Sequence, residues 1–136
     1  MMTLEKYGSL FGRVLIASLF LLAGFSKIDS FAQTAGYMGS LGLSMANLLL
    51  ALTIVLEIGG GLMILLGFYT RYAAIALFFW LIPVTLIFHA FWQADAAGLQ
   101  NQMNHFMKNI VIMGAMVYLA VHGSGPFSLR RECGKK

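Results

Sequence analysis

Long apolar runs separated by short polar segments make up most of the 136-residue chain. A bilayer core of about 30 Å takes roughly 20 helical residues to cross, and four runs approach or reach that length. They lie at residues 10–26, 46–66, 72–92 and 106–121. The runs are apolar on every face, unlike the strands of a membrane barrel, which alternate apolar and polar residues. The pattern therefore predicts an all-α bundle of four transmembrane helices, whose outer two extend beyond their strictly apolar limits.

Composition indicates a single integral membrane domain, residues 1–136. Hydrophobic residues make up 60% of the chain and charged residues 10%, whereas a soluble domain carries roughly 25% charged residues. This composition also excludes intrinsic disorder, which needs low hydrophobicity and high charge density. Because Cys133 is the only cysteine, a disulfide scaffold is excluded, and so is a redox relay that uses cysteine pairs within the chain.

Lys and Arg residues are distributed unevenly between the two sides of the predicted bundle. With four spans, both chain ends and the connection at 67–71 share one side. That side carries Lys6, Arg13, Arg71, Arg130, Arg131, Lys135 and Lys136, and the other carries Lys27 and Lys108. Seven against two predicts, by the positive-inside rule, that both termini and the tail at 123–136 are cytoplasmic. The net charge of +4 is thus mostly a topology signal, so membrane lipid is the expected partner and nucleic acid is not.

The segments between the spans differ in character. Residues 29–44 place apolar side chains among Gly, Ser and Gln, which is typical of a short interfacial or re-entrant helix, here at the outer surface with Asp29-Ser30 as its N-cap. Gly67 suits the left-handed end of a helix in a tight turn, so the second and third spans are expected to pack as an antiparallel hairpin. The polar segment 93–105 is expected to be an outer aqueous loop.

Ionisable residues inside the spans are the most informative feature. A charge in hydrocarbon costs several kcal/mol and usually faces the bundle interior with a partner, and spacings of three and four residues place side chains on one face of a helix. Such faces comprise Arg13, Ala17, Phe20, Gly24 and Lys27 in the first span, Thr53, Glu57, Gly60 and Gly61 in the second, and Lys108, Ile112, Ala115, Leu119 and His122 in the fourth. We expect these faces to meet inside the bundle.

Depth separates the ionisable groups into two layers. At 1.5 Å per residue, Glu57 lies roughly 14 Å from the cytoplasmic end of its helix, and the long side chain of Arg13 is expected to reach it. The outer layer is expected to contain Lys27, His89 and Lys108, together with Asp29, Asp95 and His105 from the loops. The candidate interior polar site therefore consists of Arg13, Glu57, Lys27, His89 and Lys108.

Structural interpretations of the same residues stay open. An Arg13–Glu57 pair also serves to fix helix register, and Lys27 and Lys108 lie near span ends, where lysines snorkel to the head groups. His89, Asp95 and His105 lack the tight spacing of metal ligands, so no metal site is predicted. Trp80, deep in the third span, and Trp92, near its end, are interpreted as a packing residue and an interface residue.

Short motifs along nearly the whole chain, taken together, resemble the DoxX family. They are Phe11-Gly12-Arg13, Ala23-Gly24-Phe25-Ser26-Lys27, Leu56-Glu57-Ile58-Gly59-Gly60-Gly61, Leu66-Gly67-Phe68-Tyr69-Thr70-Arg71, Phe88-His89, Phe106-Met107-Lys108-Asn109 and Gly123-Ser124-Gly125-Pro126-Phe127-Ser128-Leu129. The combination is specific, although the family usually follows the Ser-Leu pair with an acid, where this chain has Arg130 and Arg131.

This resemblance implies a bacterial inner-membrane protein of four helices. Proteins similar to the family include small membrane subunits of a thiosulfate:quinone oxidoreductase and members of redox complexes linked to oxidative-stress resistance. The leading hypothesis is therefore an accessory membrane subunit of a quinone-linked oxidoreductase, with redox subunits or a second copy of the chain as partners. Lys27, His89 and Lys108 are then expected to hydrogen-bond a quinone head group or an anionic substrate. The alternatives are a carrier or binding module for a small hydrophobic or anionic molecule, and a structural scaffold; whether the chain is an enzyme by itself stays open.

Overall fold

The computed structural model describes residues 3–130 and 132. Its helices are α1 (Thr3–Asp29), α2 (Phe31–Ser40), α3 (Ala46–Leu66), α4 (Thr70–Phe88) and α5 (Leu99–His122), with one 3-10 turn at Phe91–Gln93. The described residues contain no strand. Four stretches are long and apolar enough to cross a membrane, namely α1, α3, Thr70–Gln93 and α5. The predicted all-α bundle of four spans, with a short helix between the first two, is confirmed.

The helix boundaries differ most from the prediction around α5. This helix begins at Leu99, so the last seven residues of the predicted 93–105 loop are helical and that part of the prediction is wrong. Asp95 explains the early start. Its carboxylate accepts a hydrogen bond from the Gly98 amide at 2.7 Å, and its carbonyl accepts one from the Leu99 amide at 2.9 Å, which together turn the chain into the helix. In contrast, α4 ends at Phe88, before the predicted limit at 92.

Two helix pairs build the bundle. α1 packs most extensively against α3, α4 packs against α5, and the α3–α4 contact, which confirms the predicted hairpin, joins the pairs. The central core contains Ala17, Phe20, Ile64, Ala73, Ala74, Leu77, Leu81, Met116 and Leu119. We call the end of the bundle that holds residue 3 and residues 123–130 the terminal side, and the end that holds α2 the α2 side.

The interior faces predicted for α1 and α3 are confirmed. Arg13, Ala17, Phe20 and Gly24 are the buried residues of α1, and Thr53, Glu57, Gly60 and Gly61 are among those of α3. The absence of a side chain at Gly24 is what lets these helices approach, because a Cβ there would lie 2.6 Å from Cγ1 of Ile58. Outward residues of the spans, such as Phe11, Val55 and Val111, are large, apolar and exposed, as lipid contact requires.

The interior face predicted for α5 is confirmed in its middle and wrong at its two polar ends. Leu119 is buried, and Ile112 and Ala115 pack against the central core, but Lys108 and His122 are exposed. The buried residues of this helix are Asn109, Met116 and Leu119. The inward polar group is thus Asn109, one position after Lys108. Its amide donates a hydrogen bond to the Thr85 hydroxyl at 3.1 Å, so the burial of a polar side chain is compensated.

Short α2 lies where a helix is predicted within 29–44, but its cap differs. Ser30 occupies the N-cap position without a side-chain capping bond, because its hydroxyl donates instead to the carbonyl of Ser26 at 2.8 Å. Ala35 and Met38 of α2 pack with Leu50 of α3 in a second small core. Hence α2 is anchored on the end of α3 and covers part of the α2 side.

At the terminal side the last described residues fold back onto the bundle. The turn after α3 places Gly67 in the left-handed conformation, with φ 66°, as predicted. The amides of Leu129 and Arg130 donate to the carbonyls of Leu66 and Gly67 at 2.9 and 3.0 Å. Ser9 of α1 bonds the carbonyl of Ser124 at 3.2 Å, so residues 123–130 connect three helices. Arg131, Cys133, Lys135 and Lys136 lie outside the described residues.

Candidate functional site

A cavity of about 370 Å³ lies on the α2 side of the bundle. All five α-helices contribute to it. The lining residues are Lys27 from α1; Thr34, Tyr37 and Met38 from α2; Leu50, Thr53 and Glu57 from α3; Trp80, Val84 and Phe88 from α4, followed by His89; and Asn101, Gln102 and His105 from α5. The size is within the range of small-molecule sites, and so is the mixture of apolar walls with a few polar groups.

Aromatic and aliphatic side chains form most of the cavity walls. Leu50 is buried and Trp80 half-buried, and the rings of Tyr37 and Phe88 meet with centroids 6.1 Å apart, which joins α2 to α4. Trp80, interpreted from the sequence as a packing residue, is thus a wall of the site. These walls suit the flat apolar body of a ligand.

Inside the cavity, Lys27 and Glu57 form an ion pair. The Lys27 ammonium lies 3.0 and 2.9 Å from the two carboxylate oxygens of Glu57, and it also donates to the carbonyl of Ala23 at 3.4 Å. An ammonium has three N–H donors, and these three contacts account for all of them. The lysine is therefore held by the protein, and its charge is compensated within the site.

The predicted contact between Arg13 and Glu57 is wrong. Glu57 pairs with Lys27 instead. Lys27 is fourteen residues after Arg13 in the sequence, which places the two side chains roughly 21 Å apart along α1. Arg13 instead donates to the carbonyls of Ile64 and Leu65 at 3.4 Å each, and to those of Pro126 and Phe127 at 3.2 and 2.8 Å. We call these five residues the terminal clamp. Arg13 is only 1% exposed and lies away from the cavity.

Two stacked imidazoles, those of His89 and His105, form part of the cavity wall on the α2 side of the bundle. The rings of His89 and His105 are nearly parallel, at 17°, with centroids 5.0 Å apart. Nδ1 of His89 lies 3.1 Å from the side-chain carbonyl oxygen of Gln102, and Nδ1 of His105 lies 3.3 Å from the ammonium of Lys108. Lys108 itself is exposed and does not line the cavity.

The structure therefore divides the five predicted site residues. Lys27, Glu57 and His89 line the cavity, Lys108 lies behind it and contacts His105, and Arg13 belongs to the terminal clamp. Of the predicted loop groups, only His105 lines the cavity; the Asp95 carboxylate caps the start of α5.

Sequence reasoning missed Asn101 and Gln102 as well as the role of Trp80. Asn101, Gln102 and His105 stand at positions i, i+1 and i+4, which share one side of a helix. That signal was present in the sequence, but it becomes visible only when α5 is extended back to Leu99. Asp95 followed by Gly98 is the local pattern that indicates this earlier start.

Comparison with known proteins gives concordant results. The sequence model of the DoxX family matches residues 8–90, a range that includes Lys27, Glu57 and His89. The inner membrane protein YqjF of Escherichia coli K12 is 39% identical over 136 residues, covering 100% of this chain and 99% of YqjF. The inner membrane protein YphA of the same organism is 34% identical over 123 residues, covering 90% of this chain and 88% of YphA. No solved structure matches.

Proposed function

The chain belongs to the DoxX family, and from that premise we propose that it binds a quinone in the α2-side cavity as an accessory membrane subunit of an oxidoreductase system. The observation that carries the proposal is the charge balance of the cavity. Glu57 compensates Lys27 at 2.9 Å, and the remaining lining residues are apolar, or polar side chains that are uncharged when the histidines are neutral. Such a site favours a neutral ligand over a free anion.

The cavity also has room for a ligand of the proposed kind. A volume of about 370 Å³ accommodates one substituted ring, so the lipophilic tail of a quinone would lie outside the cavity. Trp80, Phe88 and Tyr37 offer aromatic faces to a flat ring, which prefers offset or edge contacts with such side chains. Bound there, a quinone would accept electrons from a partner subunit, while the residues of this chain hold and orient it.

The first test measures quinone binding directly. The chain has two tryptophans, and Trp80 lines the cavity whereas Trp92 does not. In a Trp92→Phe background in lipid nanodiscs, we therefore expect decylubiquinone to quench Trp80 fluorescence saturably. The anion 1-naphthoate, used at the same concentrations, should quench far less. Equal quenching by the anion, or non-saturable quenching by both, contradicts the proposal.

A carrier and a scaffold remain the alternatives, and the same preparation separates them from a redox subunit. Affinity purification in mild detergent should recover partner proteins with quinone reductase activity that declines when the cavity is blocked by a Val84→Trp substitution. Accumulation of a labelled ligand inside vesicles containing the chain alone favours a carrier instead. Activity that is unaffected by Val84→Trp favours a scaffold.

We also propose that the chain lies in the inner membrane with the terminal side facing the cytoplasm. Support comes from the inner-membrane relatives and from the position of the basic residues. Lys6, Arg13, Arg71 and Arg130 belong to the terminal side, and Lys27 and Lys108 to the opposite half. Green fluorescent protein fused after Lys136 should fluoresce, and alkaline phosphatase fused there should be inactive. The reverse pair of results contradicts this orientation.

A further inference from the structure

We propose that His105 and His89, and not the two lysines, hold the head group of the ligand, and that they do so with opposite hydrogen-bonding roles. This inference rests on the proposed function, because it assigns the contacts that a quinone and its reduced form, a quinol, would make in the α2-side cavity. It follows from the hydrogen bonds that the two lysines and the two histidines already make with their protein neighbours.

Neither lysine offers an unengaged donor to the cavity. Two donors of Lys27 contact Glu57 and the third contacts the carbonyl of Ala23 at 3.4 Å, so a ligand would have to displace one of these contacts to reach the ammonium. Lys108 lies outside the cavity lining, behind His105. The head group must therefore be recognised by other polar groups of the wall, among which the two imidazoles are adjacent.

The neighbours of each imidazole assign its tautomer in this proposal. An ammonium has donors and no acceptor, so Nδ1 of His105 accepts from Lys108 and the ring proton of neutral His105 is on Nε2. The side-chain oxygen of Gln102 is turned toward His89, and an amide oxygen only accepts. With that orientation Nδ1 of His89 donates to Gln102, and Nε2 of neutral His89 carries a free lone pair. The two stacked rings thus present one N–H donor, from His105, and one acceptor nitrogen, from His89.

This combination complements both forms of a quinone head group. The carbonyl oxygen of a quinone is an acceptor and pairs with Nε2–H of His105. The hydroxyl of a quinol is a donor and pairs with Nε2 of His89. A site with only lysine donors would favour the oxidised form, whereas the histidine pair binds the neutral ligand in either state. A subunit that exchanges a quinone for a quinol needs this property.

Asparagine substitutions test each role separately. The amide of asparagine reaches about as far as Nδ1 of histidine, so His105→Asn keeps an acceptor for Lys108 and His89→Asn keeps a donor for Gln102, while both remove Nε2. Loss of one buried hydrogen bond corresponds to a change of about tenfold in affinity. With Trp80 fluorescence as the readout, His105→Asn should weaken decylubiquinone binding about tenfold and decylubiquinol binding less, and His89→Asn should show the opposite pattern.

One control variant and one comparison variant accompany this measurement. The control, His122→Asn, changes the exposed histidine at the terminal end of α5, and it should leave both affinities unchanged. The comparison, Lys27→Met/Glu57→Met, removes both charges from the cavity wall and keeps it neutral, and it should weaken quinone binding less than His105→Asn does. If the double variant loses binding while the histidine variants keep it, the lysine is the ligand contact and the inference is overturned.

The tautomers can be tested without any ligand. Nitrogen-15 NMR of the protein labelled at histidine distinguishes Nδ1–H from Nε2–H imidazoles, and His89→Asn and His105→Asn assign the signals. We expect His89 as the Nδ1–H form and His105 as the Nε2–H form, with the His105 signal shifting in Lys108→Met. Identical tautomers at both positions overturn the inference, even if quinone binds. Failure of the wild type to bind either probe instead overturns the proposed function, and the assigned ligand contacts with it.

Discussion

Replacement of Arg13 by leucine is expected to lower the free energy of unfolding by about 3–5 kcal/mol, the largest loss among the substitutions considered. Arg13 is buried and donates to four carbonyls of the terminal clamp. Without it, the carbonyls of Leu65, Pro126 and Phe127 lose this donor. A fully buried polar group left unpaired costs about 1–3 kcal/mol, and these three contacts are partly buried, so each is expected near the lower end of that range. Ile64 loses less, because its carbonyl also accepts from the Gly67 amide.

The measurement is reversible unfolding in mixed micelles, followed by tryptophan fluorescence. Arg130→Leu is the matched control, because Arg130 is exposed and lies over the Tyr69 ring at 4.1 Å; its loss should cost less than 1 kcal/mol. Arg13→Lys should recover only part of the stability, since an ammonium cannot bridge two segments as a planar guanidinium does. If Arg13→Leu is as stable as Arg130→Leu, the terminal clamp contributes nothing to the free energy of unfolding.

Gly67→Ala tests the terminal clamp by crowding it, whereas Arg13→Leu removes its hydrogen bonds. Gly67 is in the left-handed conformation, and an added Cβ would collide with Nη1 of Arg13 and with Ser128. Gly59→Ala is a matched change inside α3, where a Cβ meets nothing within 4 Å. We expect the first to destabilise the protein by about 2 kcal/mol or more and the second to be neutral or slightly stabilising, since alanine is the better helix former.

Glu57→Gln is expected to be the second largest change, with a loss of about 2–4 kcal/mol in the free energy of unfolding. It leaves the Lys27 charge without a counter-charge, and breaking a fully buried pair costs about 3–5 kcal/mol. The cost here is lower because the Lys27 side chain is 29% exposed. Lys27→Met/Glu57→Met removes both charges and should cost clearly less than Glu57→Gln alone. If the double variant is less stable than Glu57→Gln, the uncompensated Lys27 charge is not the cause of the loss, and the expectation is contradicted.

The same substitution should change the ligand preference of the α2-side cavity. With Glu57 neutral, Lys27 makes the cavity net positive, and 1-naphthoate should gain affinity relative to decylubiquinone by at least tenfold. Trp80 fluorescence in the Trp92→Phe background measures both probes. An unchanged ratio would show that charge balance does not set the specificity of the site.

The sequence predicted the interior faces of α1 and α3 because each carries its ionisable and small residues in one register. On α5 it predicted the apolar middle of the face but chose the wrong polar residue, because Lys108 and the adjacent Asn109 are only about 100° apart around the helix. A lysine is long enough to leave the interior for a polar surface, whereas a short amide is not, and the amide is the residue that faces Thr85.

The partners of the charged groups were not predicted. Lys27 was assigned to the outer layer and Glu57 was expected to meet Arg13, whereas Lys27 and Glu57 pair with each other. The carbonyls that bind Arg13 are backbone atoms with no sequence signature. Pro126 and Phe127 bring two of them from the far end of the chain. The cavity likewise depends on the early start of α5 at Leu99, since that start places Gln102 and His105 on a helix.

The terminal clamp also sets an order of events during synthesis. The ribosome makes Arg13 more than a hundred residues before Phe127, which is 114 positions later. The last transmembrane helix must therefore be synthesised before the arginine has all of its acceptors, and until then only the carbonyls of Ile64 and Leu65 can pair with it. The contacts that complete the terminal clamp are thus among the last that the growing chain can form.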